Sequence, residues 1–344
     1  MYFYGILLVY ITYLAKKKGE KGAYINNLFI TLVFLISLTF YLFIIYYFNP
    51  LGHDFVAFPF DILIIFFIFI FIPLFFLLVF HEKMRIKGRN LINGKIKPYK
   101  SELPLKYEIY RKLTHLVVLG IILFYFTLGF LIQDFFVYFL EFFPQFQTKM
   151  LYIRGDTMVF TQNLVLFLVE ISLIGLLTAD FIRILMPKYY PLKPINQLLR
   201  EKELYMRLGP QISMSISCFS TIILFGYIQP IGPLIICISM TMAIFGDIAS
   251  NLIGKYIGKK KIRSTNKTYE GLYAGIITAF ISGIIILLLL RNFYDKNIFF
   301  LFLIPAIGTL IIGLIDYLDL EIDDNLSYNF TLSTIFFFIS IFLV

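Results

Sequence analysis

The chain has 344 residues, of which 60% are hydrophobic and 15% charged, with a formal net charge of +9. A mean hydropathy of +0.85 leaves no room for a separate soluble domain and marks a polytopic membrane protein. The basic residues are divided among short loops, which argues against a nucleic-acid partner and makes the charge a topology signal first.

Apolar runs near 20 residues, the length that crosses a bilayer, fall in chain order near 2–15, 25–48, 55–80, 113–132, 160–182, 211–228, 231–252, 272–290, 298–317 and 327–343. The predicted fold class is therefore all-α, a polytopic membrane helix bundle of about ten transmembrane helices. Nine is the fallback, because the first run is short enough to be half-inserted. Barrel strands would be about ten residues long and alternate in character, and these runs do neither. Pro98 and Pro104 break the loop 81–107 before a helix that starts near Leu105. No internal repeat is present.

Of the 30 Lys and Arg residues, four lie in 16–21, ten in 83–112, six in 183–207 and six in 255–267. Only Lys149, Arg154, Arg291 and Lys296 remain for the opposite side. By the positive-inside rule the four basic loops face the cytoplasm, and with ten spans both termini lie outside. The N-terminus lacks a basic n-region and a small-residue cleavage site, so it does not read as a signal peptide. Cys218 and Cys237 fall within spans as buried, reduced thiols, and no zinc pattern exists. Acceptor motifs at Asn266, Asn325 and Asn329 lie on or near the cytoplasmic side, where glycosylation does not occur.

The unusual polar residues gather in four clusters on that face. Glu108, Arg111, Lys112 and His115, in YEIYRKLTHLVV, share one helical face by their spacing. A snorkelling basic anchor with an i,i+3 ion pair is one reading of this cluster and a functional site the other; His115 lies a turn further into the apolar run. Asp180 and Arg183 close the fifth span with a local ion-pair spacing. Arg200, Glu201 and Glu203 follow in a loop of alternating charge, where Pro191 and Pro194 favour a defined path.

The third cluster is the most informative. Asp247 sits inside an apolar helix, where a carboxylate costs about 2.5–3.5 kcal/mol on insertion scales and is a functional-site candidate by default. Gly246 beside it allows close backbone approach. Gly254 and Gly258, with Lys255, Lys259, Lys260 and Lys261, can cradle phosphate by backbone N–H groups and cations. Lys267, Glu270 and Gly271 open the next helix, whose N-terminus also attracts phosphate. The spacing is not that of a Walker A loop. The fourth cluster, Asp316, Asp319, Glu321, Asp323, Asp324 and Asn325, is an acidic run on the positive side of the membrane. Such oxygen ligands suit Mg²⁺, which takes one or two carboxylates plus nucleotide phosphates.

These motifs, in this order, resemble the polyprenol kinase family: dolichol kinase, phytol kinase and CTP-dependent diacylglycerol kinase. Glu108, Arg111, Lys112 and His115 match the family's Glu-x-x-Arg-Lys-x-x-His. Arg200, Glu201, Glu203 and Gly209 resemble its Arg-Glu-x-Glu stretch. Gly246, Asp247 and Gly254 match its Gly-Asp segment, with Ser250 where the family often has Ala. Lys267, Thr268, Glu270 and Gly271 match Lys-Ser/Thr-x-Glu-Gly, and Asp323, Asp324, Asn325 and Leu326 resemble Asp-Asp-Asn-Leu. The chain departs from the family at Ile315-Asp316, where Ala-Glu is common, and lacks the Pro that usually follows the last motif. The likeness spans residues 105–330. It divides the chain into N-terminal helices with a basic loop, 1–100, and a catalytic membrane domain, 101–344.

The resemblance implies CTP as phosphoryl donor, Mg²⁺ as cofactor and a lipid alcohol from the bilayer as acceptor, with a polyprenol preferred. On this reading Asp247 with Asp323, Asp324 and Asn325 holds the metal. Arg200, Gly246, Gly254, Lys255, Gly258, Lys259, Lys267 and Gly271 surround the nucleotide. Arg111 and Lys112 stabilise developing charge, His115 or Glu108 takes the hydroxyl proton, and Glu270 completes the catalytic set. Two other classes remain open. A CDP-lipid synthase also joins CTP to a lipid, but resembles a pattern with a late Lys-Arg pair, and this chain has no Lys or Arg after Lys296. A transporter would use Asp61, Glu170 and Asp247 as an ion path.

Overall fold

The computed structural model describes residues 1–48, 56–88, 104–143, 145, 155–200, 203–229, 231–263, 265, 267–293 and 298–343. Among them there are helices and, apart from one isolated antiparallel bridge between Lys261 and Thr268, no strand pairing, as the apolar runs require. In hydrocarbon every backbone N–H and C=O must be satisfied within the segment, and a helix does this locally. In chain order the helices are α1 (Tyr2–Lys17), α2 (Lys21–Phe48), α3 (Phe60–Gly88), α4 (Leu105–Leu116), α5 (Gly120–Leu123), α6 (Gly129–Glu141) and α7 (Thr157–Leu185). They continue with α8 (Pro210–Phe225), α9 (Ile231–Tyr256), α10 (Tyr269–Leu289), α11 (Ile298–Leu318) and α12 (Asp324–Leu343).

α4, α5 and α6 form one rod, interrupted by a 3₁₀ turn at Val117–Leu119 and a π turn at Phe124–Leu128. The expected span at 113–132 is thus the middle of a longer helix, Lys106–Glu141, of 36 residues. Among the described residues, seven helical rods are long and apolar enough to cross a membrane. α1 and α8 have 16 residues each, about 24 Å at 1.5 Å per residue, short of a hydrocarbon core of about 30 Å. The protein is a multi-pass integral membrane bundle. Glu201 and Asn266, together with Pro98, Lys149, Arg154 and Lys296, lie outside the described residues.

α9 is the axis of the bundle. In its apolar window 83% of residues lie inside the protein, against 11% for α3, which presents Phe66, Phe69, Leu77 and Phe80 outward. α9 packs most extensively against α10 and also meets α8, α12 and the 3₁₀ turn after α4. Small residues explain the close α9–α10 seam. A Cβ on Gly271 would lie 2.6 Å from the Ser250 backbone oxygen, and one on Gly275 would lie 2.8 Å from Ser250 Cβ and 3.1 Å from the Gly246 oxygen. Gly246, Ser250 and Gly254 on one helix thus face Gly271 and Gly275 on the other, the small-xxx-small pattern of membrane helix pairs. Cys218 and Cys237 are free and buried, as expected.

Candidate functional site

The site forms where the start of α4 meets the last turns of α9. Glu108, Arg111, Lys112 and His115 follow at helical spacing, and all four are buried. They do not snorkel. Lys112 forms an ion pair with Asp247 Oδ2. His115 Nδ1 lies 3.6 Å from the same oxygen, and neither ring nitrogen has a hydrogen-bond partner. The other Asp247 oxygen accepts from Asn251 Nδ2 at 2.6 Å. Asn251, one turn beyond Asp247, escapes a reading based on charge; its signal is a second polar residue on the same face of an apolar helix.

Behind this pair stands a buried charge network. Arg111 donates to Glu108 at 2.9 Å and to Glu203 at 3.3 Å. Arg200 donates to Glu108 and reaches Asn251 Oδ1 at 3.4 Å. Burial works against the Arg200 charge, but Glu108 and Glu203 outweigh it and hold the guanidinium above its ordinary value. Arg200 therefore stays a fixed cation two contacts away from Asp247.

The loop carrying Arg200 and Glu203 is clamped from within. Arg183 donates to Asp180 at 2.6 and 3.0 Å, to the Glu203 carbonyl at 2.7 Å and to the Arg207 carbonyl at 2.9 Å. Asp180 Oδ2 accepts from Gly209 N–H at 3.1 Å. The pair is local by spacing, but its remaining bonds fix the loop at Glu203, Arg207 and Gly209. α2 adds two anchors. Asn27 bonds the Met206 carbonyl and the Leu208 N–H, at 2.8 and 3.0 Å. Asn26 Oδ1 accepts from Arg207 at 3.2 Å and from Asp323 N–H at 2.9 Å. Residues 1–100 thus help to shape the site, through buried asparagines in an apolar helix.

A second centre lies at Lys267. Its ammonium sits 2.8 Å from Asp316, 3.4 Å from Asp319 and 3.2 Å from Asp324. Burial disfavours its charge, but Asp324, Asp316 and Asp319 outweigh this and raise its pKa above the ordinary lysine range. Tyr328 donates to Asp316 at 2.9 Å. Asp319 follows the end of α11 with φ of 45°, the left-handed position that ends helices and that Asp tolerates better than most residues. Asp323 spends Oδ1 on the Asn325 N–H and side-chain amide, at 3.0 and 2.7 Å. The neighbouring acids therefore differ: Asp323 orders the turn, whereas Asp324 faces Lys267. Asp324 opens α12 and Asp247 lies on α9, and these two helices pack against each other.

The loop between α9 and α10 is a small hairpin. Ile262 N–H bonds Lys267 O and Tyr269 N–H bonds Lys260 O, each at 2.9 Å. Thr268 caps α10 by accepting from Gly271 N–H at 3.2 Å. Glu270 accepts from the Lys260 N–H at 3.3 Å, so it secures the hairpin beside the site. Lys259, Lys260 and Lys261 are exposed, as is Lys255 at the end of α9. Gly246, Gly254 and Gly271 lie in the α9–α10 seam, and a Cβ on Gly258 would come within 2.4 Å of Thr268 Oγ1. Close packing limits the space at these four glycines. Asp61 and Glu170 each keep a buried oxygen without a partner, but no hydrogen bond or ion pair among the described residues joins either to Asp247.

A model of the cytidylyltransferase family matches residues 104–342. The chain belongs to that family. The match begins one residue before α4 and ends within α12, so it takes in both charged centres. No curated protein and no solved structure matches the chain. Membership in the cytidylyltransferase family, together with the bundle, makes the protein a membrane transferase acting on lipids. It also weighs against the transporter.

Among the described residues, no three His, Cys, Asp or Glu side chains form a group able to cage a metal. A dedicated protein cage is not what Mg²⁺ ordinarily requires, because phosphates and water complete its shell. Asp247 and Asp324, on the packed helices α9 and α12, are carboxylates of the kind Mg²⁺ takes.

Proposed function

We propose that this member of the cytidylyltransferase family is a CTP-dependent lipid-alcohol kinase, acting at the cytoplasmic face on a polyprenol-like acceptor. The observation that carries the reading is the convergence of Lys112 and the unpartnered imidazole of His115 on Asp247. Phosphoryl transfer needs positioning and charge stabilisation more than covalent chemistry.

His115 has a free ring nitrogen to accept the acceptor's hydroxyl proton, and Asp247 stabilises the imidazolium that results. The alcohol oxygen then attacks the γ-phosphorus, the bond from that phosphorus to the β–γ bridging oxygen breaks, and CDP leaves. Lys112 and Arg111 offset charge on the transferred group. Arg200, held cationic by Glu108, faces the nucleotide with Lys255 and Lys259. Lys267 lies between the acids and the triphosphate. Asp247 and Asp324 would hold Mg²⁺, with Asp323 and Asn325 ordering the turn; bound there, the ion neutralises charge on the nucleotide phosphates.

The family's description favours one second reading, a CDP-lipid synthase. In that reaction a lipid phosphate attacks the α-phosphorus of CTP and pyrophosphate leaves. The two are separated by incubating purified protein in detergent with Mg²⁺, γ-labelled CTP and a panel of lipid alcohols and lipid phosphates. Label in a lipid, with CTP and not ATP as donor, supports the kinase. Label in pyrophosphate overturns it in favour of the synthase.

A further inference from the structure

A cavity of about 710 Å³ opens beside the site, between the α4–α5 rod on one side and α9 and α10 on the other. That volume lies within the range of small-molecule sites. Its upper end is fixed by Leu116, next to His115, and by Phe245, two residues from Asp247. From there it follows α10 from Thr278 to Leu289, about 16 Å at 1.5 Å per residue. The wall is apolar in effect as well as in composition. Thr241 donates to Cys237 O at 2.6 Å and Ser282 to Ala279 O at 3.0 Å, so each hydroxyl is satisfied within its own helix. Leu123, Ile285 and Leu289 line it and remain exposed, which leaves the cleft open toward the bilayer.

The α4–α5 rod gives the cleft its width. The 3₁₀ turn at Val117–Leu119 leads into Gly120. Gly120 lines the cleft, and a Cβ placed on it would meet nothing within 4 Å. Unlike the glycines of the α9–α10 seam, it leaves space that no neighbour fills.

We infer that this cleft holds the apolar chain of the lipid substrate, with its polar end at His115 and Asp247, and that Gly120 sets which chains enter. The inference rests on the kinase reading for the identity of the polar end. The occupant is a substrate chain, because the cleft ends at Leu116 and Phe245, on the same two helices as His115 and Asp247 and within two residues of them.

The test compares Gly120→Phe with wild type, using a long and a short isoprenoid alcohol. The ratio of kcat/KM for the long over the short acceptor should fall about 10–200-fold, the range set by a changed apolar pocket contact. Leu131→Phe, on an exposed position of α6 outside the cleft, should leave that ratio unchanged. A second measurement does not depend on turnover: a diazirine-bearing C20 isoprenoid alcohol is photo-crosslinked to the wild-type protein and mapped. Crosslinks on α5 and α10, suppressed by Gly120→Phe, support the cleft even if no phosphoryl transfer occurs; that combination would remove the kinase reading alone. Phosphoryl transfer with an unchanged ratio in Gly120→Phe and crosslinks elsewhere overturns the cleft and spares the kinase. Competition by a bilayer phospholipid as strong as by the lipid alcohol also overturns it.

Discussion

Lys112 and Asp247 form an ion pair between α4 and α9 in which each side chain is only 4% exposed. Removing one partner of such a pair leaves a buried charge and costs about 3–5 kcal/mol. Asp247→Asn and Lys112→Met should each abolish turnover while leaving membrane insertion intact, and each should lower the melting temperature in detergent. Lys112→Met combined with Asp247→Leu should recover stability but not activity, because the apolar pair no longer strands a charge. Wild-type turnover in Asp247→Asn would remove its proposed metal role.

Lys267 holds three acids together, and its raised pKa gives a prediction with a definite sign. Its stabilising charge is fully present below the ordinary lysine value of about 10.4 and is lost only as pH rises through the higher folded value. The pH–rate profile should therefore show no alkaline limb from Lys267 below about pH 10. Lys267→Met should reduce kcat by about 10²–10³-fold, the scale for losing one charge-stabilising donor, and Lys267→Arg should retain part of it. An alkaline limb near pH 9 that vanishes in Lys267→Arg would contradict this account.

The Arg183 clamp acts on structure. Arg183→Met strands Asp180 and frees two loop carbonyls, so stability should fall by about 3–5 kcal/mol. Loss of activity should follow loss of folded protein, with KM for CTP little changed in the fraction that remains folded. A large rise in KM at unchanged melting temperature would instead give Arg183 a direct part in nucleotide binding.

The α9–α10 seam has no space for a methyl group at Gly271. Gly271→Ala should destabilise the protein by about 1–3 kcal/mol through overpacking, measured as a lower melting temperature. If the backbone there approaches the nucleotide instead, KM for CTP should rise while the melting temperature holds.

The sequence by itself determined the helices, because hydrocarbon forces each apolar run to satisfy its own backbone. It also determined which residues are exceptional, since a carboxylate such as Asp247 in an apolar run is costly wherever it goes. Helical spacing alone places Glu108, Arg111, Lys112 and His115 on one face. Only the tertiary structure decided the partners. Lys112 meets Asp247 while its neighbour Arg111 turns to Glu108 and Glu203, and Asp324 meets Lys267 while Asp323 is held in its own turn. Local sequence cannot separate such adjacent residues, because the choice depends on helix rotation and packing across the bundle. The same is true of Asn26, Asn27 and Asn251, uncharged residues whose importance lies in the loops and carboxylates brought to them. The glycine-rich run after Asp247 reads as a phosphate loop on composition; the structure shows that Gly254 also packs closely against Gly271 of α10, because closeness between two backbones is a property of the pair and not of either stretch of sequence alone.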